Sequence, residues 1–499
     1  MRKIPRTMST QHPDNANVPG WVEGEVLAGE KEVFEVYYAF SSLGVEECLW
    51  DAEGKDVELH VVRKLFELYP DFFRERILGR DIFLTYRLPN PWVEVVEKKV
   101  FSEVLESIPL ASDVASSFYG CRTAPVFEVV LPLTERASQL KFVKGYYEGF
   151  VARRSGVRLG SVEVREVLGD VYPETVEVIP LLEDFNALYH PEEVLRGYVE
   201  EYKPRYLRVF LARSDPALNY GLLTAVLLVK TAMSRFSVLA EEEGLDVYFI
   251  LGTGPPPFRG GLTPLRVREV LSEYPGVYTY TIQSAFKYDY PEEQVKRAIA
   301  VLNNSPVREP PEVSVPERLA RRLMSEYQSR VNVLAGIVNE ASRAIPSRRA
   351  RKLHIGLFGY PRAVGGASLP RAIPFTGALY SLGLPPELLG AGVLQSLTED
   401  ELSTVEETYK LLRRDYAYAC SYVNQEVFQV ISALGVPARH IEKLMLDVEV
   451  ACGSFAEKHS QRIEHTSLSS KFAEELLSGN LQRAKQLAVE MGKLRGFLG

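Results

Sequence analysis

The stretch Tyr206–Asp215 reads Y-L-R-V-F-L-A-R-S-D and joins an apolar strand to charged residues at its carboxyl end. Such a run is typical of a strand that is buried on both faces of a parallel sheet. Similar runs, rich in Val, Ile, Tyr and Phe, recur along the chain with helical stretches between them. The predicted strands are Val33–Phe40, Asp81–Arg87, Val126–Leu131, Val176–Leu182, Tyr206–Ala212, Asp246–Leu251, Val277–Ile282 and Leu353–Phe358.

These strands alternate with amphipathic helices such as Glu192–Tyr202 and Tyr220–Glu243. The alternation predicts an α/β fold, a (β/α)8 TIM-like barrel, and leaves an open doubly wound sheet as the alternative. Further along, Thr398-x-x-Glu401 is a capping-box pattern that opens a long helical region. We therefore expect an N-terminal segment 1–30, a barrel 31–369 and a helical C-terminal region 370–499 packed on the barrel, with 306–316 as a stiff connector.

Composition excludes several classes of protein. The 499 residues include 58 Lys plus Arg and 66 Asp plus Glu, so the formal net charge is -8, which argues against a nucleic-acid binder. Four scattered cysteines without metal-ligand spacing predict a reduced intracellular chain with no zinc site. The longest apolar run, Leu222–Val229, is too short to cross a bilayer, and no signal sequence opens the chain, so we expect a cytoplasmic protein without a membrane partner.

Several catalytic signatures are absent from the sequence. It contains no G-x-x-x-x-G-K-[ST] phosphate loop, no H-E-x-x-H zinc motif and no G-x-S-x-G nucleophile elbow. Gly252-Thr-Gly254 follows a predicted strand, but three prolines come next and cannot supply the helix of a dinucleotide site.

Polar residues follow the predicted strands at the end where a barrel builds its active site. They are Arg87, Glu183, Asp215, Arg259, Gln283, Lys287 and Arg362. Carboxylates from adjacent strands suit a hard cation such as Mg²⁺, and arginines suit a phosphorylated or carboxylated ligand. Taken singly, a strand-end Glu or Asp is more often a helix cap or a salt-bridge partner, so the evidence is the shared placement of these residues.

The segment Ser9-Thr-Gln-His12-Pro-Asp-Asn15 presents a histidine among small polar residues. A histidine titrates near neutral pH and suits proton transfer, although an isolated one is as easily a surface residue.

These segments together resemble phosphoenolpyruvate carboxylase of the archaeal type. S-T-Q-H-P-D-N is close to a signature of that form, and the matches keep their order as far as about residue 392. The other matching segments are Pro180-Leu-Leu-Glu183, Arg213-Ser-Asp215, Gln283, Lys287-Tyr288, Pro346-Ser-Arg348, Leu369-Pro-Arg-Ala-Ile-Pro374 and Leu388-Leu-Gly-Ala-Gly392.

The resemblance implies carboxylation of phosphoenolpyruvate with bicarbonate to oxaloacetate and phosphate, an anaplerotic fixation of CO₂ through carboxyphosphate and a metal-stabilised enolate. It implies a cytoplasmic homotetramer that uses Mg²⁺, with Mn²⁺ as a substitute. The implied roles are catalysis by His12 and Arg259, substrate binding by Arg87, Arg348, Arg213 and Gln283, and metal binding by Glu183 and Asp215.

The sequence departs from the longer bacterial enzymes in the glycine loop before Arg259. Leu251 and Thr253 stand where those enzymes have a histidine and an arginine, so another cation must serve. The candidates are Arg213, Arg362 and the cluster Arg348, Arg349, Arg351 and Lys352, which could otherwise be a solvated helix face. The acidic stretch Trp50–Asp56, with Asp51, Glu53 and Lys55, is either a site loop or a surface turn.

Two other functions remain compatible with the residues. A Mg²⁺-dependent barrel lyase or aldolase acting on a 2-oxo acid would use the same carboxylates and arginines but would leave the His12 segment idle. A non-catalytic anion-binding subunit would bind phosphate without turnover. The sequence does not decide the effectors or the subunit interface.

Overall fold

The computed structural model describes residues 3–52, 58–350, 362–364 and 366–499. Within them, parallel strands close into a barrel. The strands are β1 (Thr7–Ser9), β2 (Glu47–Asp51), β3 (Phe83–Arg87), β4 (Glu128–Leu131), β5 (Glu177–Leu182), β6 (Tyr206–Ala212), β7 (Asp246–Gly252) and β8 (Val277–Ile282). Each strand pairs with its neighbours along the chain and β1 pairs with β8, which gives the order β1-β8-β7-β6-β5-β4-β3-β2.

The shortest strand closes the barrel. Thr7 in β1 pairs with Tyr280 in β8, while Met8 pairs with Glu47 at the start of β2. Both ladders are parallel, so the sheet has no open edge at this point. The (β/α)8 prediction is confirmed, and the open doubly wound sheet is excluded.

Helices surround the barrel and continue beyond it into a large helical region. In chain order the α-helices are Glu30–Ser41, Val61–Leu68, Pro70–Glu75, Val100–Tyr119, Ala137–Tyr146, Val164–Leu168, Phe185–Tyr189, Pro191–Tyr202, Ser214–Tyr220, Leu222–Glu243, Val267–Glu273, Ser284–Tyr288, Glu292–Asn304, Glu317–Ser342, Ala372–Leu382, Glu399–Thr408, Leu412–Cys420, Val427–Ala433, Ala438–Glu449, Ile463–Leu477 and Leu481–Arg495. Two short hairpins, Arg158–Leu159 with Val162–Glu163 and Arg362–Val364 with Ala367–Leu369, lie outside the barrel.

Six predicted strands are confirmed as β3 to β8, with ends that differ by two residues at most. The predicted strand Val33–Phe40 is wrong, because these residues lie in the helix Glu30–Ser41. Val33, Val36 and Phe40 are all buried, and their spacing places them on one helical face. Tertiary packing therefore overrides the strand propensity of this valine- and aromatic-rich run.

Two barrel strands were not predicted from the sequence. Thr7–Ser9 is too short to show a period, and Glu47–Asp51 begins and ends with a carboxylate rather than an apolar residue. The predicted strand Leu353–Phe358 lies outside the described residues, and all the strands that close the barrel precede it.

The predicted helix Tyr220–Glu243 is found as Leu222–Glu243, because Gly221 separates it from the preceding helix Ser214–Tyr220. Its φ is +86°, and a Cβ at this position would lie 2.7 Å from the Tyr327 ring. Only glycine combines this backbone angle with so close an approach. The capping box at Thr398 and Glu401 is confirmed.

The barrel interior is layered. Met8, Leu49, Val130, Ile179 and Phe210 belong to a buried apolar cluster inside the strands. Below this cluster, at the amino ends of the strands, Arg208 is bound by Glu47 and Glu128, whereas the carboxyl ends carry the polar site described below.

The prediction of fully reduced cysteines is wrong, because Cys420 and Cys452 form a disulfide. They are 32 residues apart in sequence, and only packing of the helical region brings their Cα atoms to 5.7 Å. Cys48 and Cys121 are free.

One helix of the described residues, Leu222–Glu243, is long and apolar enough to cross a membrane. Of its most apolar window, 83% is buried inside the protein, as in the core helix of a soluble fold.

Candidate active site

A cavity lies at the carboxyl end of the barrel, where strand ends meet residues 345–347 and residues 371–374 of the helical region. Its lining comprises Gln11, His12, Pro13, Asp51, Arg87, Ser214, Asp215, Arg259, Ile345, Pro346, Ser347, Arg371, Ala372, Ile373 and Pro374. Because all barrel strands run in one direction, residues that follow different strands meet at this mouth. His12, Arg87, Arg259 and Asp215, which are far apart in sequence, are thereby brought together.

Each of these side chains is placed by a strand end. Arg87 is the last residue of β3, and His12 follows β1 by three residues. Asp215 lies in the first turn of the helix that follows β6, and Arg259 ends a 3₁₀ turn after β7. Lys287 is buried and donates to Ser9 Oγ at 2.9 Å, to the Thr10 carbonyl at 3.1 Å and to Glu35. The bonds to Ser9 and Thr10 hold the backbone that leads to His12.

Arg87 and Asp51 form an ion pair in the cavity wall. Nη1 of Arg87 lies 3.1 Å from Oδ1 of Asp51, the last residue of β2. The backbone N–H of Asp51 donates to Gln11 Oε1 at 3.1 Å, so this pair is tied to the residue before His12. Of the Trp50–Asp56 stretch, Asp51 lines the cavity, while Glu53 and Lys55 lie outside the described residues.

Arg259 is 1% exposed and is held by four acceptors. Its Nε donates to Ser214 Oγ at 3.1 Å, and Nη2 donates to Gln283 Oε1 at 2.5 Å. Nη1 donates to Asp14 Oδ2 at 3.1 Å and to the backbone oxygen of Gly499 at 2.6 Å. The protein therefore orients the guanidinium through its Nε and both Nη atoms.

His12 is poised as a neutral imidazole. Burial in the cavity, together with the positive charges of Arg259 and Arg87, lowers its pKa well below the ordinary value. Its Nδ1 lies 2.9 Å from Thr10 Oγ1. A neutral ring can accept a proton, and an anionic ligand that neutralises the arginines would raise the pKa of His12 again.

Arg371 is a cavity residue that the sequence patterns left without a role. It precedes the helix Ala372–Leu382, lines the cavity and contributes to the lowered pKa of His12. The L-P-R-A-I-P segment in which it lies was the available signal. Thr253, which replaces an arginine of the longer enzymes, is buried, and its N–H donates to Thr281 Oγ1 at 2.8 Å.

Three predicted substrate-binding residues are not part of the cavity wall. Gln283 contacts Arg259, as described above. Arg213 is 1% exposed and donates from Nε to the Tyr274 hydroxyl at 3.1 Å. Arg348 donates from Nη2 to the Ala16 carbonyl at 2.7 Å and from Nε to the Asn15 carbonyl at 3.2 Å, so it holds the backbone that follows His12. Of its cluster, Arg349 is buried against Glu35, and Arg351 and Lys352 lie outside the described residues.

Glu183 and Asp215 follow the neighbouring strands β5 and β6. Burial raises the pKa of the nearby Tyr220 phenol to about 12, and the charges of Asp184, Asp215 and Glu183 add to the rise. The carboxylates of Glu183 and Asp215 thus both lie close enough to the Tyr220 hydroxyl to raise its pKa. No cluster of three His, Cys, Asp or Glu side chains with metal-ligand geometry occurs in the described part of the chain.

Comparison with known proteins identifies the family of this chain. A family model described as phosphoenolpyruvate carboxylase matches residues 4–499. A phosphoenolpyruvate carboxylase of Metallosphaera sedula is 48% identical over 514 residues, covering 100% of both chains. Relatives of the same name from Caldivirga maquilingensis and Methanospirillum hungatei are 45% and 43% identical, again over 100% of both chains.

Among solved structures, a malate synthase of Haloferax volcanii overlaps 83% of this chain and 98% of its own with a TM-score of 0.37 and 11% identity, too low a similarity to support a conclusion. The full-length relatives and the family model agree with each other. The chain therefore belongs to the phosphoenolpyruvate carboxylase family.

Proposed function

We propose that this chain carboxylates phosphoenolpyruvate with bicarbonate to give oxaloacetate and inorganic phosphate, an anaplerotic fixation of CO₂. The observation that carries the proposal is that His12, Arg87, Arg259, Arg371 and Asp215 all line the same cavity. Three guanidinium groups around one histidine suit a substrate that carries both a phosphate and a carboxylate.

The reaction needs positioning and charge neutralisation more than covalent help from the protein. Arg87 and Arg371 would grip the anionic groups of phosphoenolpyruvate while a bicarbonate oxygen attacks its phosphorus. The products of that step are carboxyphosphate and the enolate of pyruvate. Arg348 and Arg213, which contact protein groups, would support the site behind these residues, and direct binding of substrate by either stays a prediction.

His12 would act as the base in the next step. Its lowered pKa leaves the imidazole neutral and able to accept the proton of carboxyphosphate, which then breaks down to CO₂ and phosphate. Arg259 would hold the CO₂ against the enolate carbon, where the new carbon–carbon bond forms. A preorganised donor of this kind typically contributes about 10²–10³ in rate.

Glu183 and Asp215 fit a divalent cation. They supply hard carboxylate oxygens from adjacent strands, and a set of two such ligands suits an ion that keeps several waters and takes substrate oxygens. We propose Mg²⁺, with Mn²⁺ as a substitute, and when bound it would supply Lewis-acid stabilisation of negative charge on substrate oxygens.

We also propose that segment 1–30, barrel 31–369 and helical region 370–499 act as one integrated unit, since residues of all three line the cavity or contact its lining. A cytoplasmic homotetramer that binds neither nucleic acid nor membrane fits the family and the acidic net charge of -8.

A coupled assay tests the proposed activity. With malate dehydrogenase and NADH present, NADH consumption should require both phosphoenolpyruvate and bicarbonate. Turnover that depends instead on an added 2-oxo acid would favour a barrel lyase, and saturable phosphate binding without any turnover would favour an anion-binding subunit.

A metal titration tests the carboxylates. Asp215→Asn and Glu183→Gln should each raise the Mg²⁺ concentration needed for half-maximal activity by about tenfold or more, because one charged ligand is lost. Asp184→Asn is the matched control. Asp184 follows Glu183 but caps the helix Phe185–Tyr189 through the N–H groups of Asn186 and Ala187, a role that asparagine can fill. An unchanged titration curve in the two ligand variants would remove them from the metal site.

A further inference from the structure

Asp14 lies two residues after His12 and joins three distant segments of the chain. Its side chain is fully buried, with Oδ1 accepting from the Ala285 N–H at 2.7 Å at the start of the helix after β8. Its Oδ2 accepts from Arg259 at 3.1 Å. Its carbonyl oxygen accepts from the Leu498 N–H at 2.7 Å. A shift of Asp14 would thus move the His12 segment and Arg259 together.

The hydrogen-bonding capacity of Arg259 is almost fully used by the protein. A guanidinium has five N–H donors, and Ser214, Gln283, Asp14 and the backbone oxygen of Gly499 accept four of them. Asp14 also forms an ion pair with Arg259, with its Oδ2 3.1 Å from Nη1. Among the described residues no further acceptor contacts the guanidinium, so one N–H of Nη2 is left for a ligand and the other four N–H groups fix its direction.

The backbone of Gly254 lies against the flat face of the same guanidinium. A Cβ on Gly254 would be 2.8 Å from the central carbon of the Arg259 side chain and 3.0 Å from Nη1. The Gly254 N–H also donates to the Arg259 carbonyl at 2.7 Å, which closes the loop between them. Asp14 at the edge and Gly254 at the face together leave the arginine a single orientation.

We propose that Asp14 is a positioning residue, whose carboxylate holds Arg259 so that its remaining N–H keeps CO₂ against the enolate. The inference rests on the proposed function. It assigns to Asp14 a part in deciding the fate of the enolate rather than in binding phosphoenolpyruvate. Asp14 offsets the burial of this guanidinium more than Asp215 does, and it also accepts a hydrogen bond from it, so loss of the Asp14 charge would leave the orientation of Arg259 less strongly fixed.

The enolate has two fates once carboxyphosphate has broken down to CO₂ and phosphate. If its carbon attacks CO₂, a carbon–carbon bond forms and oxaloacetate is the product. If its carbon takes a proton from water, pyruvate is the product, and the hydroxide left behind combines with CO₂ to restore bicarbonate. The second route is in sum the hydrolysis of phosphoenolpyruvate to pyruvate and phosphate. A displaced Arg259 should favour this route.

The test measures both products of one reaction. Asp14→Asn keeps the size of the side chain and one acceptor oxygen but removes the charge. Excess malate dehydrogenase traps oxaloacetate as malate before it loses CO₂, and pyruvate is quantified with lactate dehydrogenase in the quenched sample. We expect the ratio of pyruvate to oxaloacetate to rise about tenfold or more, the equivalent of one charged hydrogen bond, while the KM for phosphoenolpyruvate changes little.

Asp447→Asn is the matched control. Asp447 is also buried, pairs with Arg330 Nε at 2.9 Å and accepts from the Gly390 N–H at 2.9 Å, but it does not line the cavity. This variant should lower thermal stability and leave the product ratio unchanged. A folded Asp14→Asn enzyme with the wild-type ratio would overturn the inference, even if its melting temperature fell.

A second variant covers the case in which Asp14→Asn does not fold. Ser214→Ala removes only the neutral acceptor of Arg259 Nε, and it should raise the same ratio by a smaller factor. An unchanged ratio in that variant would also count against the inference. If the wild-type chain makes neither product from phosphoenolpyruvate and bicarbonate, the proposed function itself fails, which is a distinct result.

Discussion

The two ends of the barrel use the same residue types for opposite purposes. At the amino end, Arg208 donates from Nη2 to Glu47 at 2.6 Å and from Nη1 to Glu128 at 2.8 Å, and none of these three side chains lines the cavity of the carboxyl end. At the carboxyl end, Arg87, Arg259 and Arg371 surround a cavity.

The pKa of the buried arginines reflects this difference. Burial lowers the pKa of Arg208, but Glu47 and Glu128 together raise it above its usual value. Burial lowers the pKa of Arg259, and Asp14 only partly opposes the change, so this guanidinium stays below its usual value. We call the amino end of the barrel the closed end, because its buried arginine is paired with two carboxylates. We call the carboxyl end the open end, because its arginines retain positive charge for an anion.

The largest expected effect is at the open end. His12→Ala should lower oxaloacetate formation by about 10²–10⁴-fold, because the base for carboxyphosphate is lost, while phosphoenolpyruvate still binds. The malate dehydrogenase assay measures the rate, and isothermal titration measures binding. Wild-type-like carboxylation in this variant would remove His12 from the mechanism.

At the closed end we expect loss of stability without loss of chemistry. Arg208→Met leaves Glu47 and Glu128 buried without their guanidinium, which should lower the free energy of unfolding by about 3–5 kcal/mol. Denaturant unfolding measures the change. Adding Glu47→Gln and Glu128→Gln should recover part of it. A folded Arg208→Met enzyme with much lower kcat would show that the two ends are coupled.

Glu387 tests how a buried carboxyl behaves without a cation. Burial raises its pKa to about 7, although it accepts from the Phe258 N–H at 2.9 Å beside Arg259 and from the Tyr380 hydroxyl at 2.8 Å. The folded state therefore holds this proton more tightly than the unfolded state, and stability should fall as pH rises from about 4.5 to 7.

Glu387→Gln mimics the protonated form and should remove this slope, a difference of about 3 kcal/mol across the window. Urea unfolding at several pH values measures it. The same pH dependence in wild type and variant would contradict the raised pKa.

The smallest expected effect concerns a single hydrogen bond at the closed end. Thr85 donates to Glu47 Oε1 at 2.5 Å. Thr85→Val keeps the shape and removes the bond, so the free energy of unfolding should fall by about 1.5 kcal/mol with kcat unchanged. Urea unfolding and the coupled assay would be run on the same preparation. A fall in kcat would mean that the closed end influences the cavity.

Much of the barrel was predictable because most of its strands are recognisable in the sequence as apolar runs. β3 to β8 are apolar runs, and Arg87, Asp215 and Arg259, which end or follow three of them, line the cavity. Glu183 and Gln283, which follow two others, do not line it. Val33–Phe40 was wrongly predicted as a strand, because its apolar residues suit either a strand or one face of a helix. Arg371 was missed because it comes from the helical region rather than from a strand end.

By itself the sequence determined the fold class, the family and the identity of most charged residues at the cavity. These depend on local patterns and on short motifs, which can be recognised in the sequence without knowing the tertiary contacts. Only the tertiary structure decided that Thr7–Ser9 closes the barrel, that Arg371 faces His12, and that Asp14 pairs with Arg259 across 245 residues of chain. The physical reason is that a buried guanidinium takes whichever acceptor the fold brings within 3 Å or so, and separation along the chain carries no information about that distance.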